Sequence, residues 1–249
     1  MEYNPFALTG KTILVTGASS GIGRAVAIEC SRLGARVILT ARNRQRLEDT
    51  LGMMVGEGHF IIECDLNKEE DIEHLINEIP EIQGLVNNAG TTTTVPVQFI
   101  KSDALRGLMN VNTIAPIIIL SSLVKKKKLK KNSSVVFTSS VSGLGHISVG
   151  NTRYAATKGA ISTFIKGAAN ELASKGIRVN AVCPGMTETD IMSHLAASEE
   201  QLDADRQSFP LKRYGKPEEI AWAIIYLLSD ASAWVTGTNL LIDGGRCLK

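Results

Sequence analysis

Tyr154 and Lys158 stand four residues apart in a stretch with helical patterning, Tyr154-Ala155-Ala156-Thr157-Lys158. That spacing sets both side chains on one helix face, one turn apart. A lone tyrosine ionises near pH 10, and a neighbouring ammonium favours its phenolate. Such a pair suits handing a proton to a carbonyl oxygen, or taking one from an alcohol. Tyrosine and lysine also meet at this spacing by chance, so the pair needs support elsewhere in the chain.

Support comes from the run Gly17-Ala18-Ser19-Ser20-Gly21-Ile22-Gly23, which joins an apolar segment to a helical one. Glycines there permit a tight turn and let the backbone approach a pyrophosphate. The helix start adds free N–H groups and a positive dipole end. The spacing is G-x3-G-x-G rather than the commoner G-x-G-x-x-G, and a tight strand-to-helix turn alone would also use glycine. Sites of this kind that prefer NAD place a carboxylate about 20 residues further on, whereas an arginine there accommodates a 2′-phosphate. Here the second apolar segment ends Leu39-Thr40-Ala41-Arg42-Asn43, with no acid. A guanidinium can hold a phosphate through two N–H groups. NADP is therefore the expected cofactor, with NAD second; the plain alternative is that Arg42 caps a surface turn.

Other reactive residue types need weighing. Asn112 falls within an otherwise apolar helix, where a buried amide is costly unless bonded. Ser139, Ser140 and Ser142 follow a strand, a place where hydroxyls more often serve turns. Four histidines (His59, His74, His146, His194) accompany them, but no G-x-S-x-G elbow exists, which argues against a serine hydrolase. Cys30, Cys64, Cys183 and Cys247 form no CxxC pair and no cluster with ligand spacing, so no metal site is expected. They read as small apolar residues in a reducing compartment. Lys125 to Lys131, interrupted only by Leu129, is the sharpest charge feature. It reads as a solvated helix end that complements the dipole, or as a dock for an acidic partner.

These residues need a frame. Short β-branched runs at 12–16, 36–40, 60–64, 84–87, 134–138, 178–183 and 239–242 alternate with helical stretches at 23–33, 44–55, 68–79, 103–128, 154–174 and 217–228. Continuous apolar runs such as Ile13-Leu14-Val15 suit strands buried on both faces. The alternation predicts a doubly wound α/β domain, a parallel sheet of about seven strands with helices on both faces. All 249 residues fit one such domain. Apolar residues make up 44% and charged residues 21% of the chain, which suits a packed core. A formal net charge of +2 gives no sign of a nucleic-acid binder. Glu2 and the lack of a basic stretch argue against a signal peptide. The longest apolar run, 114–124, holds Pro116, Ser121 and Ser122 and is too short to span a bilayer. A cytoplasmic protein is expected. The polar stretch 186–210 fits the pattern poorly; its place after a strand end makes it a candidate flap over a substrate, with a solvated insertion as the bland alternative.

Taken together, the motifs resemble those of the short-chain dehydrogenase/reductase family, in its branch of about this length. Thr16-Gly17-Ala18-Ser19-Ser20-Gly21-Ile22-Gly23 resembles the family's cofactor loop, and Asn87-Asn88-Ala89-Gly90 its NNAG motif. Asn112, Ser140, Tyr154 and Lys158 match its four catalytic positions, with Gly143 three residues after Ser140 selecting among the serines. Pro184-Gly185 with Thr189, and Asp243-Gly244-Gly245, match two C-terminal motifs. The resemblance implies hydride transfer between a nicotinamide cofactor and a carbonyl or alcohol. Tyr154 would be the acid/base, Ser140 would bond the substrate oxygen, and Asn112 would hold a water near the lysine. Gly17, Ser19, Ser20, Gly21, Ile22 and Gly23 would cradle the cofactor phosphates, with Arg42 and Asn43 at the ribose and Asp65 with Leu66 at the adenine. Asn88, Ala89 and Gly90 would lie beneath the cofactor. Lys158 and Tyr154 would meet its nicotinamide end, with Pro184, Gly185, Thr187 and Thr189 beside that ring. His146, Asn151 and Met186 would edge the substrate, with Met192 and Leu195 as a lid. The chain as a whole resembles 3-oxoacyl-carrier reductases, which implies a carrier-linked carbonyl substrate and an acyl carrier protein as partner. Sugar, polyol and steroid dehydrogenases share the pattern, and a non-catalytic nucleotide sensor is the alternative from another class. Family members pair into homotetramers or dimers, and Ile161, Phe164 and Ile165 read as an exposed apolar face for that pairing.

Overall fold

The computed structural model of the chain describes residues 3–189 and 198–248. Seven strands form one sheet: β1 (Thr12–Thr16), β2 (Arg36–Ala41), β3 (Phe60–Glu63), β4 (Ile82–Asn87), β5 (Leu129–Thr138), β6 (Arg178–Pro184) and β7 (Asn239–Ile242). Their order is β3-β2-β1-β4-β5-β6-β7, and every pairing is parallel. The chain winds outward from β1 to β3, then returns to place β4 on the other side of β1. Ligands of open α/β sheets bind at that reversal, outside the carboxyl ends of the strands.

Among the described residues, eight α-helices accompany the sheet: α1 (Gly21–Arg32), α2 (Arg44–Gly52), α3 (Glu69–Glu78), α4 (Ser102–Met109), α5 (Ala115–Lys125), α6 (Thr152–Leu172), α7 (Glu199–Ser208) and α8 (Pro217–Leu228). Successive strand residues point to opposite faces. Ile13 and Val15 therefore enter the core under α1 and α8, and Leu14 enters the core under α3, α5 and α6. The helices joined at 102–125 are long and apolar enough to cross a membrane by composition. Their residues Ala115, Ile119, Leu120 and Leu123 instead pack into that second core.

Four details differ from the sequence reading. The helix expected over 103–128 is interrupted by a π-turn at Asn110–Ile114 and ends at Lys125. Pro116 has no N–H for the carbonyl four residues earlier, so the ladder widens there. The lysine run is a helix end only at its start: Lys125 lies in the last turn of α5 and Lys126 caps it, whereas Lys127 takes a left-handed turn (φ 56°) and β5 begins at Leu129. Within the run, Lys128 donates to the backbone oxygens of Asn77 and Ile79, Lys126 donates to Asn77 Oδ1, and Lys130 pairs with Glu81. Ile161 and Ile165 are buried core residues, and Phe164 packs against them, so α6 has no exposed apolar face of the kind expected. The exposed apolar side chains of this region are Ile114 and Ile118. Finally, part of the stretch 186–210 is regular: α7 starts with a capping box between Ser198 and Gln201. Met192 and Leu195 lie outside the described residues.

Candidate active site

The turns after β1 to β6 open onto one cleft of about 900 Å³ at the carboxyl edge of the sheet. Of the described residues expected to serve catalysis, cofactor or substrate, all but Gly23 and Asn112 line it.

At β1 the chain leaves the sheet through Gly17 (φ 68°) and Gly21 (φ 52°). A Cβ on Gly17 would lie 2.8 Å from Ala89 Cα, and one on Gly23 would lie 2.2 Å from Gly17 O. Gly23 therefore works by packing: it lets α1 start directly beneath the loop. Arg24 donates to Ser19 O (2.6 Å) and Thr50 Oγ1 to Ala18 O (3.0 Å), pinning the turn from behind. The Ser20 side chain caps no N–H of α1, and the first turn holds no acid. The helix thus presents a free positive end to the cleft, which suits an anion. Beyond it, Thr40 Oγ1 is buried without a hydrogen-bond partner among the described residues, and Arg42 and Asn43 flank it on the cleft wall. Arg46 lines the same wall and escaped the sequence reading. It lies one turn into α2, where its backbone N–H donates to Asn43 Oδ1 (3.0 Å); a three-residue spacing from Asn43 was the available signal. Asp65 makes a tight turn through Asn67 (3.0 Å). The backbone N–H groups of Asn88 and Ala89 both donate to Thr16 Oγ1 (3.0 Å each). Thr189 reaches across the cleft, its methyl 3.2 Å from the position of a Cβ on Gly21. A glycine cradle, an uncapped helix start, an orphaned hydroxyl and two guanidiniums fit a phosphate-rich dinucleotide.

The reactive cluster closes the other end. Tyr154 and Lys158 sit one turn apart on α6, with Lys158 Nζ 5.7 Å from the phenol ring centre. The ammonium donates to Thr138 O (2.7 Å). Burial lowers the Lys158 pKa to about 8. Burial likewise pushes Tyr154 up to about 12, while a hydrogen bond with Ser140 pulls it down. In the chain alone, then, desolvation outweighs the lysine, opposite to the direction the pairing suggested. Ser140 is the serine that meets Tyr154. Ser139 instead turns inward to Lys158 O (3.0 Å) and Ser162, and Ser142 accepts from Asn151 (3.3 Å). Asn112 lies in the π-turn and does not reach the cleft. Its amide exchanges bonds with Thr91 (2.9 and 2.8 Å) and donates to Thr157 (3.2 Å). A Cβ on Gly90 would sit 3.3 Å from Asn112 Oδ1 and 3.4 Å from Lys158 Nζ. That glycine keeps open the space both groups face.

The far wall is a stitched loop. Beyond the Thr91–Asn112 pair, Thr92 reaches Asn151 (3.5 Å), Thr93 accepts from Arg153, and Val95 N donates to Gly150 O (2.8 Å). Arg153 is buried with its Nε unpaired, and no carboxylate among the described residues pairs with it. Thr92, Thr94, Ser142, His146, Ser148 and Asn151 put polar side chains on this wall, and Met186 faces them from β6's end.

A family model described as enoyl-(acyl carrier protein) reductase, of the short-chain dehydrogenase/reductase type, matches residues 17–246. A curated relative, 3-oxoacyl-(acyl-carrier-protein) reductase FabG of Rickettsia felis, is 34% identical and covers 97% of this chain and 98% of its own. The chain belongs to the short-chain dehydrogenase/reductase family. It is an oxidoreductase by that membership. Among solved structures, one of Agrobacterium tumefaciens bearing the name 2-deoxy-D-gluconate 3-dehydrogenase, with bound NADP, aligns with a TM-score of 0.89 at 30% identity, covering 99% of this chain and all of its own. The RhlG/NADP active-site complex of Pseudomonas aeruginosa aligns at 0.90 and 30%, covering 98% and 99%.

Proposed function

We propose that the chain interconverts a ketone and a secondary alcohol with NADP(H), Tyr154 serving as the acid/base. The observation that carries this is the meeting of Tyr154, Ser140 and Lys158 at the mouth of the glycine cradle. Bound in that cradle, the dinucleotide supplies or takes the hydride. Ser140 orients the substrate oxygen and bonds Tyr154. Tyr154 gives its proton to that oxygen in reduction and takes one back in oxidation. Its raised pKa keeps it protonated for the first task, and a cationic ring nearby favours phenolate for the second. Lys158 stays at the cofactor side of Tyr154, and Asn112 fixes Thr91 behind Gly90. Arg42, joined by Arg46, holds a 2′-phosphate, which favours NADP over NAD.

A 3-oxoacyl thioester is the first substrate to try, since the curated relative is named for it. The hydroxyl-rich wall of Thr92, Thr94, Ser142 and Ser148 favours a second reading, a sugar or polyol. We further assign the chain to the cytoplasm, as a homo-oligomer, with 186–210 flanking the substrate. The test follows NADPH and NADH oxidation with a short 3-oxoacyl thioester and a panel of ketoses, beside Tyr154→Phe. NADPH turnover that the variant loses supports the reading. Turnover retained by Tyr154→Phe overturns the role of Tyr154, and a preference for NADH overturns that of Arg42.

A further inference from the structure

The helix nearest the substrate side of the cleft is held there almost entirely by polar side chains. None of the residues of α7 is buried. A helix without a buried face draws little stability from packing. Yet Asp205 on α7 and Phe209 just after it line the cleft. Three residues from outside the helix bond to it: Lys212, whose ammonium donates to Gln207 O (2.7 Å), Tyr214 and Arg246. Tyr214, itself buried, donates its hydroxyl to Asp205 (2.9 Å) and to Leu202 O (3.3 Å). Arg246 donates to Ser208 Oγ, lies 3.5 Å from Asp205 Oδ1, and stacks over the Phe209 ring at 5.0 Å.

Arg246 can do this because the turn carrying it is rigid. The Asp243 carboxylate accepts the N–H groups of Gly245 (2.9 Å) and Cys247 (2.7 Å). Asp243 also packs against Gly185, where a Cβ would come within 3.0 Å of Asp243 Cα. Leu211 N donates to Gly244 O (3.3 Å), and Gly245 lies close enough to Pro210 that a Cβ would clash at 2.9 Å. A continuous run of contacts thus links Gly185 beside the reactive cluster, through the turn at 243–247, to the end of α7. The helix's own arginine adds only a stacking contact. Arg206 pairs within α7, with Glu199 (2.8 Å) and Asp203, and stacks on Tyr214.

We propose that Arg246 is a positioning residue: it holds the carboxyl end of α7, and with it Asp205 and Phe209, against the substrate side of the cleft. The proposal rests on the cleft being the substrate site. Its first readout is chosen not to depend on catalysis. Hydrogen exchange of residues 199–208 is compared in Arg246→Ala, Arg246→Lys, Tyr214→Phe and the parent chain, each loaded with NADPH. Arg246→Ala is expected to speed exchange in that helix at least tenfold while leaving α1 and α6 unchanged. Arg246→Lys, which keeps a charge but loses the planar fork, is expected to fall between. The second readout is kinetic. KM for the carbonyl substrate is expected to rise about tenfold, with kcat within about twofold and NADPH affinity unchanged, because the loss concerns substrate contacts common to ground and transition states. Unchanged exchange in α7 for Arg246→Ala overturns the proposal, whatever the activity. Altered exchange with KM unmoved on an active enzyme also overturns it. A parent chain that reduces no carbonyl sinks the functional reading instead, and exchange then still decides whether Arg246 holds the helix. Should Arg246→Ala not fold, Arg246→Lys and Tyr214→Phe give the same comparison.

Discussion

Lys158 keeps its ammonium in a place that charge disfavours. The residue is 4% exposed, and its pKa falls to about 8. Between pH 8 and 10.5 the unfolded chain binds a proton that the folded chain does not, so stability rises with pH across that window. Below pH 8 the folded protein carries a charged, buried amine at a net cost on the order of 3 kcal/mol, at about 1.4 kcal/mol per pKa unit. We expect Lys158→Met to be inactive and yet more stable than the parent chain at pH 7 by ~1–3 kcal/mol, the difference shrinking toward pH 10. Urea denaturation at the two pH values checks it; a destabilised variant would show that the Thr138 bond outweighs desolvation. Tyr154 obeys the opposite sign rule. Its pKa is raised, so folding favours the neutral phenol, and that contribution is lost as pH climbs from 10 toward 12. Ser140 is the group that opposes the rise. Ser140→Ala should therefore move the acid limb of the alcohol-oxidation profile to higher pH as well as lowering the rate, which a pH series of kcat/KM reads directly. The Tyr154–Lys158 spacing was legible in the sequence. The direction of the tyrosine shift was not, because spacing reports neighbours and says nothing of burial.

At the scale of elements, the strands and the glycine cradle were legible because period and turn chemistry are local. The break in the helix after Ser102 was not read, although Pro116 announced it; apolar patterning runs straight through a π-turn. Arg246 left no local signal, since it acts on an element distant in sequence. The cradle itself gives a sharp prediction. Gly23→Ala drives a Cβ to 2.2 Å from a backbone oxygen, and Gly17→Ala brings one to 2.8 Å from a backbone carbon at a positive φ. Neither neighbour is a flexible side-chain end, so the loop or the helix must shift. We expect each to weaken NADPH binding by roughly a hundredfold or more, since a misplacement of about 1 Å can cost that much. Gly52→Ala, at the end of α2 with open space around it, is the control; it should stabilise the chain by ~0.5–1 kcal/mol and leave NADPH affinity unchanged. Fluorescence titration of NADPH across the three variants decides the matter. Equal binding in all of them would remove the cradle from the cofactor site.

For the whole molecule, topology decides between two readings of the lysine run that sequence left open. The sheet is parallel, so every strand begins at one edge and ends at the other. The cleft opens after the strand ends, whereas Lys125 to Lys131 surround the start of β5. Leu129 stands opposite Ile82 and Phe137 opposite Asn87, so Leu129 and Thr138 lie about six strand steps apart, on the order of 20 Å at about 3.3 Å per residue. An acidic carrier docked on the lysines would have to pass its cargo over the full height of the domain to reach Tyr154. Meanwhile Lys126, Lys128 and Lys130 already bind the end of α3 and Glu81, a structural task that explains half the run without a partner. Lys125, Lys127 and Lys131 are then ordinary solvated charges. Reversing those three to glutamate should leave KM for a carrier-linked 3-oxoacyl substrate within about twofold of its value for the parent chain, in step with KM for the free thioester. A tenfold rise confined to the carrier-linked substrate, and relieved by salt as exposed charge pairs are, would instead mean that the carrier does approach from the far edge and that the cleft has a second mouth. The comparison needs the two substrates side by side, because a rise in both would report only a disturbed β5, whose first residues pair with Ile82 at the root of β4.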